Sequence, residues 1–406
     1  MIGQTPLDLA LLLVTALTTI VLAGAFVDFA IGYRRLRHLK DVTPVRTGPS
    51  LSIIVAARNE ARGIEAAARS LVRLDYPALE IVIVNDRSTD GTGAILKRLA
   101  LEHETAKVRL KSDTTTLTTT FTIVDIAELP DGWLGKNYAL SVGAARASGE
   151  LLLFTDADVV FEPTTLRRAV GVMQRDGIDH LTAIPDVRVP GVALNGFVAA
   201  FGVFFSMYVR PWKARDPRSR HHIGVGAFNL IRAAAYRAIG THRAIAMRPD
   251  DDLKLGKLVK KHGFRQDVVY GQGFIVVEWY GSVGELIDGL MKNAFAGVNY
   301  SLWAVAGSTL ALCLMNAWPF LAIFATHGAA RALSGVSVLL IVLIFWTSAR
   351  YSGFGGARVA YVLLFPAAAL LFAYIVWRSA LIAVIRGTVT WRGTAYPLAE
   401  MRANRV

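Results

Sequence analysis

Three acidic clusters and one lysine carry the residue types from which chemistry can be built. Asp156-Ala157-Asp158 directly follows an apolar run, Leu151–Thr155. Two carboxylates one residue apart at a turn can face a single hard cation, directly or through water. Mg2+ and Mn2+ take one or two carboxylates and fill other positions with phosphate oxygens, so the pair suits a metal that neutralises a diphosphate leaving group. A surface turn would use the same residues; the position at the end of an apolar run favours the site. The second cluster, Asn85-Asp86-Arg87-Ser88-Thr89-Asp90-Gly91-Thr92, follows Ile81–Val84. Turn and helix-capping chemistry accounts for Ser88–Thr92. It does not account for Asp86, whose carboxylate can accept hydrogen bonds from a base or a ribose. The third cluster is Asp250-Asp251-Asp252. Mutual repulsion raises at least one of these pKa values on partial burial, which suits a general base. The competing reading is a helix N-terminus, where acids before Leu253–Lys261 complement the dipole. Lys136 follows Gly135 at the head of a helical pattern and can meet a phosphate there. Its surroundings are not a Walker loop, and an ordinary surface lysine is the alternative.

The elements that position these clusters are legible as short apolar runs, each followed by a helical pattern. Ser52–Ala57 precedes a helix reaching about Leu74, and Ile81–Asn85 precedes a helix from about Thr92 to Leu101. Such alternation predicts βαβ units and a parallel sheet. Open sheets of this kind bind ligands at the carboxyl ends of their strands. Three predicted ends carry polar residues: Arg58-Asn59-Glu60, Asn85-Asp86-Arg87 and Asp156-Ala157-Asp158. The threonine-rich Thr114–Thr122 reads as a strand or exposed loop without chemistry.

The flanks have a different character. Of 406 residues, 53% are hydrophobic, more than a soluble chain of this length needs. The N-terminal run Leu7–Phe26 holds only Asp8 as a charge and is long enough to cross about 30 Å of hydrocarbon. Arg34, Arg35, Arg37 and Lys40 follow it, which places the subsequent chain in the cytoplasm. Three further apolar stretches occur at Trp303–Thr326, Leu333–Ala349 and Val359–Trp377. Three crossings would put the C-terminus outside, against Arg378, Arg386, Arg392, Arg402 and Arg405. Trp303–Thr326, with its internal Asn316 and Pro319, is the candidate for re-entrance. The net charge of +13 then reflects membrane anchoring rather than nucleic-acid binding. The single cysteine, Cys313, rules out an intrachain disulfide and a zinc–cysteine cluster.

In this order the clusters resemble the family 2 glycosyltransferases, over roughly residues 50–300. The matching segments are Ile53–Glu60, Val84–Thr92, Gly135-Lys136, Thr155–Asp158, Gly226–Ile231 with Tyr236, Gly240 and His242, and Asp251-Asp252 with Leu255-Gly256. One N-terminal helix, three C-terminal apolar stretches and a closing Trp391–Tyr396 look like the lipid-modifying members, of carotenoid-acid and hopanoid type and, more distantly, ceramide glucosyltransferases. The resemblance implies an α/β GT-A domain plus transmembrane helices. It places Ala56, Arg58 and Glu60 near the nucleotide, Asp86 on the base, Lys136 on the donor, Asp156 on the ribose or metal side and Asp158 on the metal. It makes Asp252 the base, with Asp251 second, although this chain has Asp where the family more commonly has Glu. The processive synthases' Gln-x-x-Arg-Trp motif is absent, since the corresponding stretch reads Leu290–Gly297 without Arg-Trp.

The expected activity is inverting, metal-dependent transfer (Mg2+ or Mn2+) from a nucleotide-diphosphate sugar, UDP-linked by default, to a membrane lipid. No nucleic acid and no protein partner is expected. A polyprenyl-phosphate sugar synthase, a polysaccharide synthase and a non-catalytic membrane-anchored binding module are the competing readings. The expected organisation is a transmembrane helix over 1–33, a linker over 34–50, a GT-A domain over 51–281 and an interfacial helix over 282–302. A membrane region over 303–386 and a basic tail over 387–406 complete it, in a multi-pass protein of the cell membrane.

Overall fold

The computed structural model describes residues 5–110, 118–352 and 359–406. The chain forms two compact units. One comprises residues 36–188, 211–279 and 403–406, and is called the catalytic unit below; the other comprises 1–35, 189–210 and 280–402, and is called the helical unit.

The catalytic unit is an α/β domain. Its strands are β1 (Arg37–His38), β2 (Leu51–Ala57), β3 (Ala78–Asp86), β4 (Thr118–Ile126), β5 (Leu151–Asp156), β6 (Val159–Phe161), β7 (His180–Ile184), β8 (Asp186–Arg188), β9 (Asn229–Arg232), β10 (Gln266–Tyr270) and β11 (Ile275–Glu278). Eight form one sheet in the order β1-β10-β7-β9-β5-β2-β3-β4, parallel except for β9, which runs antiparallel to both β5 and β7. Strands β6, β11 and β8 form a second, small sheet.

The runs of apolar residues become central strands because both faces of the sheet are covered. Ile53 and Val55 of β2 enter one core with Ile81, Ile83, Leu151 and Leu153. Ile54 points the other way and joins Leu152, Phe154 and Leu140. Strand periodicity thus divides one hydrophobic run between two cores. The predicted helices appear as Ile64–Val72 and Thr92–Leu110, and the threonine-rich run continues into edge strand β4 from Thr118, with residues 114–117 outside the described ones.

The helical unit contains α1 (Pro6–Tyr33), α6 (Val192–Val209), α9 (Val283–Gly297), α10 (Leu302–Asn316), α11 (Trp318–Ala325), α12 (Gly328–Ser352) and α13 (Phe365–Arg386); α2 (Ile64–Val72), α3 (Thr92–Leu110), α4 (Gly135–Arg146), α5 (Thr165–Asp176), α7 (Ala233–Ala238) and α8 (Asp251–Lys261) lie in the catalytic unit. A two-stranded hairpin, β12 (Thr388–Trp391) and β13 (Thr394–Pro397), leads into the short α14 (Leu398–Ala403). Four helices are long and apolar enough to cross a membrane: Pro6–Tyr33, Val192–Lys213, Gly328–Arg350 and Tyr361–Arg386.

Two features depart from the expected layout. The stretch 51–281 is not continuous in the catalytic unit, because residues 189–210 leave it and fold with the helical unit. The segment is uncharged from Val192 to Val209, but it lies between sheet strands, and its flanks read as soluble domain. The basic tail is also divided, since residues 403–406 belong to the catalytic unit.

Candidate active site

Strand register explains why clusters far apart in sequence meet. β2 lies between β3 and β5, with Ala56 opposite Val84 on one side and Asp156 on the other. The carboxyl ends that carry Arg58-Asn59-Glu60, Asp86-Arg87 and Asp156 are therefore neighbours along one sheet edge.

The loops leaving β2 and β3 are stitched together. Asn59 Oδ1 accepts from the Thr89 amide at 2.8 Å, the Glu60 amide donates to Thr92 Oγ1 at 2.8 Å, and the Ala61 amide donates to Asp90 Oδ2 at 3.1 Å. The bonds to Thr92, the Ala61 amide and others hold the Asp90 carboxyl below its usual range, although it is well solvated. Asn59 and Arg87 both adopt left-handed backbone, at φ 55° and 53°. Non-glycine residues reach that region at a cost of order 1 kcal/mol or more, and such strain concentrates where side chains must be aimed.

Asp86 is buried, and Arg87 clamps it through Nε at 2.7 Å and Nη2 at 3.1 Å. Arg58 Nη1 approaches the same carboxylate at 3.7 Å. Helix α4 (Gly135–Arg146) starts directly above. A Cβ on Gly135 would fall 2.5 Å from Asp86 Oδ2, so only glycine allows the helix to begin there.

The next residue, Lys136, links the other two acidic clusters. Its Nζ lies 2.8 Å from Asp156 Oδ1 and 3.4 Å from Asp251 Oδ2. Burial opposes the lysine's charge, but Asp156, Asp251 and Asp252 outweigh it and hold the pKa above the usual lysine value. Gly226 lets Asp156 sit against the backbone, because a Cβ there would lie 2.5 Å from Asp156 Oδ2.

The three adjacent acids have three environments. Asp250 is buried and neutralised by Arg248, at 2.8 and 2.9 Å, with Lys254 Nζ at 3.4 Å. Asp251, buried at the start of α8 (Asp251–Lys261), faces Lys136. Asp252 accepts from the Gly226 amide at 2.8 Å and the Leu253 amide at 2.7 Å. Its pKa is pushed up to about 7, first by burial and then by Asp251, with Lys136 and the Leu253 amide pulling the other way. Asp158 is likewise pushed up to about 7 by burial, then by Asp156 and Glu60. Helix-terminus chemistry and functional chemistry therefore coexist in Asp250–Asp252.

A small cavity is lined by Lys136, Asp156, Gly226, His242, Asp251 and Asp252, among others. The structure thus gathers Lys136, Asp156, Asp251 and Asp252 around one pocket. Asp86 and Arg58 form an adjoining cluster, and Asp158 is tied to the site through the charges of Asp156 and Glu60.

Two supporting residues lay outside the expected site. Asn137 is fully buried, and its Nδ2 lies 2.7, 3.1 and 2.9 Å from the carbonyls of Ile245, Ala246 and Arg248, which fixes the segment preceding the acids. His242 is buried and bonds Tyr236 Oη through Nδ1 at 2.7 Å. Burial, and then Lys136, lower its pKa to about 3, so it lines the pocket as a neutral ring. His242 and Tyr236 belong to the ordered motif set, but no sequence pattern marks Asn137.

No group of three or more His, Cys, Asp or Glu side chains forms a self-contained metal cage among the described residues. A cation bound mainly through a diphosphate needs only one or two carboxylates. Asp156 and Asp158 flank the same strand end, with Glu60 close enough to act on Asp158, so the donor set fits such an ion.

Residues 52–240 match the Glycosyl transferase family 2 profile. The chain is similar to a 4,4'-diaponeurosporenoate glycosyltransferase of Staphylococcus aureus (strain bovine RF122 / ET3-1), 23% identical over 310 residues, which cover 73% of this chain and 77% of that protein. The same enzyme from strain MRSA252 is 22% identical over 64% of this chain and 65% of its own length. Among solved structures, a mannosyltransferase from Pyrobaculum calidifontis, in complex with GDP-Man and Mn2+, superposes with a TM-score of 0.52 at 18% identity. That match covers 92% of this chain and 99% of the other, and it concerns the fold. The chain carries a glycosyltransferase family 2 domain with the GT-A fold. It is a glycosyltransferase.

Proposed function

We propose that this enzyme transfers one sugar from a nucleotide-diphosphate donor to a membrane lipid by a single, inverting displacement. The observation that carries the reading is Lys136, which joins the Asp156 carboxylate to the acidic group at the head of α8. Donor-side and acceptor-side carboxylates thereby share one pocket.

In this reading Asp86, clamped by Arg87 and approached by Arg58, binds the base. Lys136 meets the donor's diphosphate when the donor enters. Asp158, with Asp156, would hold Mg2+ or Mn2+, which when bound supplies positive charge to the departing diphosphate. Asp252 removes the proton from an acceptor hydroxyl as its oxygen attacks the anomeric carbon. A base with a pKa near 7 suits that task at neutral pH. The relatives' name, 4,4'-diaponeurosporenoate glycosyltransferase, supports a carotenoid acid as a second acceptor chemistry beside a lipid hydroxyl. An acceptor carboxylate already lacks its proton and makes no demand on Asp252, so the two acceptor chemistries separate experimentally. The helical unit supplies the membrane embedding, with the catalytic unit in the cytoplasm as the basic residues after α1 indicate.

The test is transfer from a labelled donor to lipid extracts by the membrane-embedded protein, with the product's anomeric configuration read by NMR. Inversion is expected. Retention would overturn the single displacement, and release of nucleotide without any lipid product would overturn the acceptor class.

A further inference from the structure

We infer that α13, although long and apolar enough to span a bilayer, lies in the plane of one leaflet and offers the face Leu370, Tyr374, Leu381 and Ile385 to its acyl chains. The inference rests on the membrane embedding proposed above.

Contacts within the helical unit define two membrane faces. Thr19 Oγ1 meets Ser337 Oγ at 2.8 Å and the Leu333 carbonyl at 3.3 Å, whereas Tyr33 Oη meets Ser348 Oγ at 3.4 Å. α1 and α12 are therefore parallel, and their C-terminal ends mark one face. Ser206 of α6 joins that end, with its Oγ 2.8 Å from Tyr33 Oη. Trp318 Nε1 donates to Thr15 Oγ1 at 3.2 Å, which places the start of α11 towards the opposite face.

Both halves of α13 contact the first face. Phe365 packs on Phe345, one turn before Ser348, and Phe365 and Phe372 pack on Phe204 of α6. Thirteen residues further on, Arg378 pairs with Asp288 of α9 at 3.3 Å, and Ser379 Oγ donates to the Met291 carbonyl at 2.6 Å. Tyr208 Oη, half a turn beyond Ser206 on α6, donates to the Gly297 carbonyl at the end of α9 at 3.1 Å, so α9 belongs to the same face. A spanning α13 would carry Arg378 about 20 Å away from Phe365 in depth. It would also hold Asp288, 74% exposed, inside hydrocarbon, where an ionised carboxylate is costly.

Connectivity requires the same arrangement. Between residues 279 and 403 the chain leaves the catalytic unit and returns to it, so it crosses the bilayer an even number of times. α10 with α11 makes one crossing and α12 the other; α13 makes none. By the same reasoning α6, entered and left from the catalytic unit, does not cross. The apolar stretch that does not span is thus α13, not Trp303–Thr326. On α13, Leu370, Tyr374, Leu381 and Ile385 are 58%, 53%, 47% and 81% exposed and fall within about 60° of the helix circumference. That is a lipid-facing stripe along the length of an in-plane helix.

The test uses the full chain with Cys313→Ser, carrying Leu370→Cys, Leu381→Cys or Ile385→Cys singly. Each cysteine is labelled with bimane and the protein is reconstituted in phosphatidylcholine–phosphatidylglycerol vesicles containing lipids spin-labelled at acyl carbon 5 or 12. The expected result is one common ratio of shallow to deep quenching at all three sites. A ratio that changes steadily along the helix, over a depth of about 22 Å, would overturn the in-plane placement and leave the membrane reading intact. Absence of quenching at every site would overturn both. As a second measure, an impermeant maleimide should label Arg386→Cys and His327→Cys from opposite faces. Labelling from the same face would sink the inference.

Discussion

The two units bury polar groups by opposite rules. In the catalytic unit Asp86, Arg248, Asp250, Asp251, Lys254 and Asp267 are buried charged residues. In the helical unit the buried polar residues among those described are all neutral: Thr15, Thr18, Thr19, Ser206, Asn316, Thr326, Ser334, Ser337, Thr347, Ser348 and Ser379. Several of these hydroxyls bond a carbonyl one turn back, as Thr15 does to Leu11 and Ser334 to Ala330. Their desolvation cost is small and is met within the helix. A buried charge costs several kcal/mol unless it is paired. The catalytic unit meets that cost by pairing, as Asp250 does with Arg248, Asp86 with Arg87 and Asp251 with Lys136.

The contrast predicts where substitutions act. Removing a carboxylate in the catalytic unit should mostly affect chemistry, and removing a hydroxyl in the helical unit should mostly affect packing. The largest effect is expected for Asp158→Ala: a loss of transfer of roughly a hundredfold or more, with an unchanged circular-dichroism spectrum. Wild-type activity in a labelled-donor assay would remove Asp158 from the mechanism. Asp252→Asn comes next, with a loss of about 10²- to 10⁴-fold for a hydroxyl acceptor and little for a carboxylate. For the hydroxyl acceptor the wild-type rate should fall about tenfold per pH unit below the base's pKa of about 7. A flat pH–rate profile would assign the proton to another group.

Stability supplies the sharper form of the comparison. The folded-state pKa of Asp252 is raised above its unfolded value, so its charged form is penalised on folding. That penalty is absent well below pH 4, grows as pH rises and is complete above about 7. Asp252→Asn should therefore raise the melting temperature, and more at pH 8 than at pH 5. An equal gain at both would mean that the carboxylate is not strained. Asn137→Ala withdraws the donor shared by three buried carbonyls and should cost about 1–3 kcal/mol, measured by thermal unfolding in detergent. Thr19→Val in the helical unit should cost least, about 0.6 kcal/mol. A larger loss than that for Asn137→Ala would reverse the contrast between the units.

The catalytic unit was the more legible in sequence for the same reason. Polar residues that end an apolar run, such as Asp86 and Asp156, stand out because a parallel sheet exposes its ligand edge there, and register then brings Ala56 opposite Asp156. Asn137 was not legible, because its partners are backbone carbonyls more than a hundred residues away. The different fates of Asp250, Asp251 and Asp252 depend on Arg248, Lys136 and Gly226, and proximity in sequence does not distinguish them. In the helical unit hydropathy reports that Phe365–Arg386 is apolar but carries no direction. Its orientation follows from partners such as Asp288 and Phe204, and α6 escaped notice because strands flank it.

The position of α6 has a consequence for synthesis. Strand β9 is the link between β5 and β7, and so between the two halves of the main sheet. It begins at Asn229, after the whole of α6. A ribosome delivers six strands of the main sheet first, β1 to β5 and β7, then an eighteen-residue apolar helix, and only afterwards β9 and β10. Under the membrane embedding proposed above, α6 reaches lipid while the main sheet still lacks the strand between β5 and β7, so insertion and folding are ordered by the genetic sequence itself.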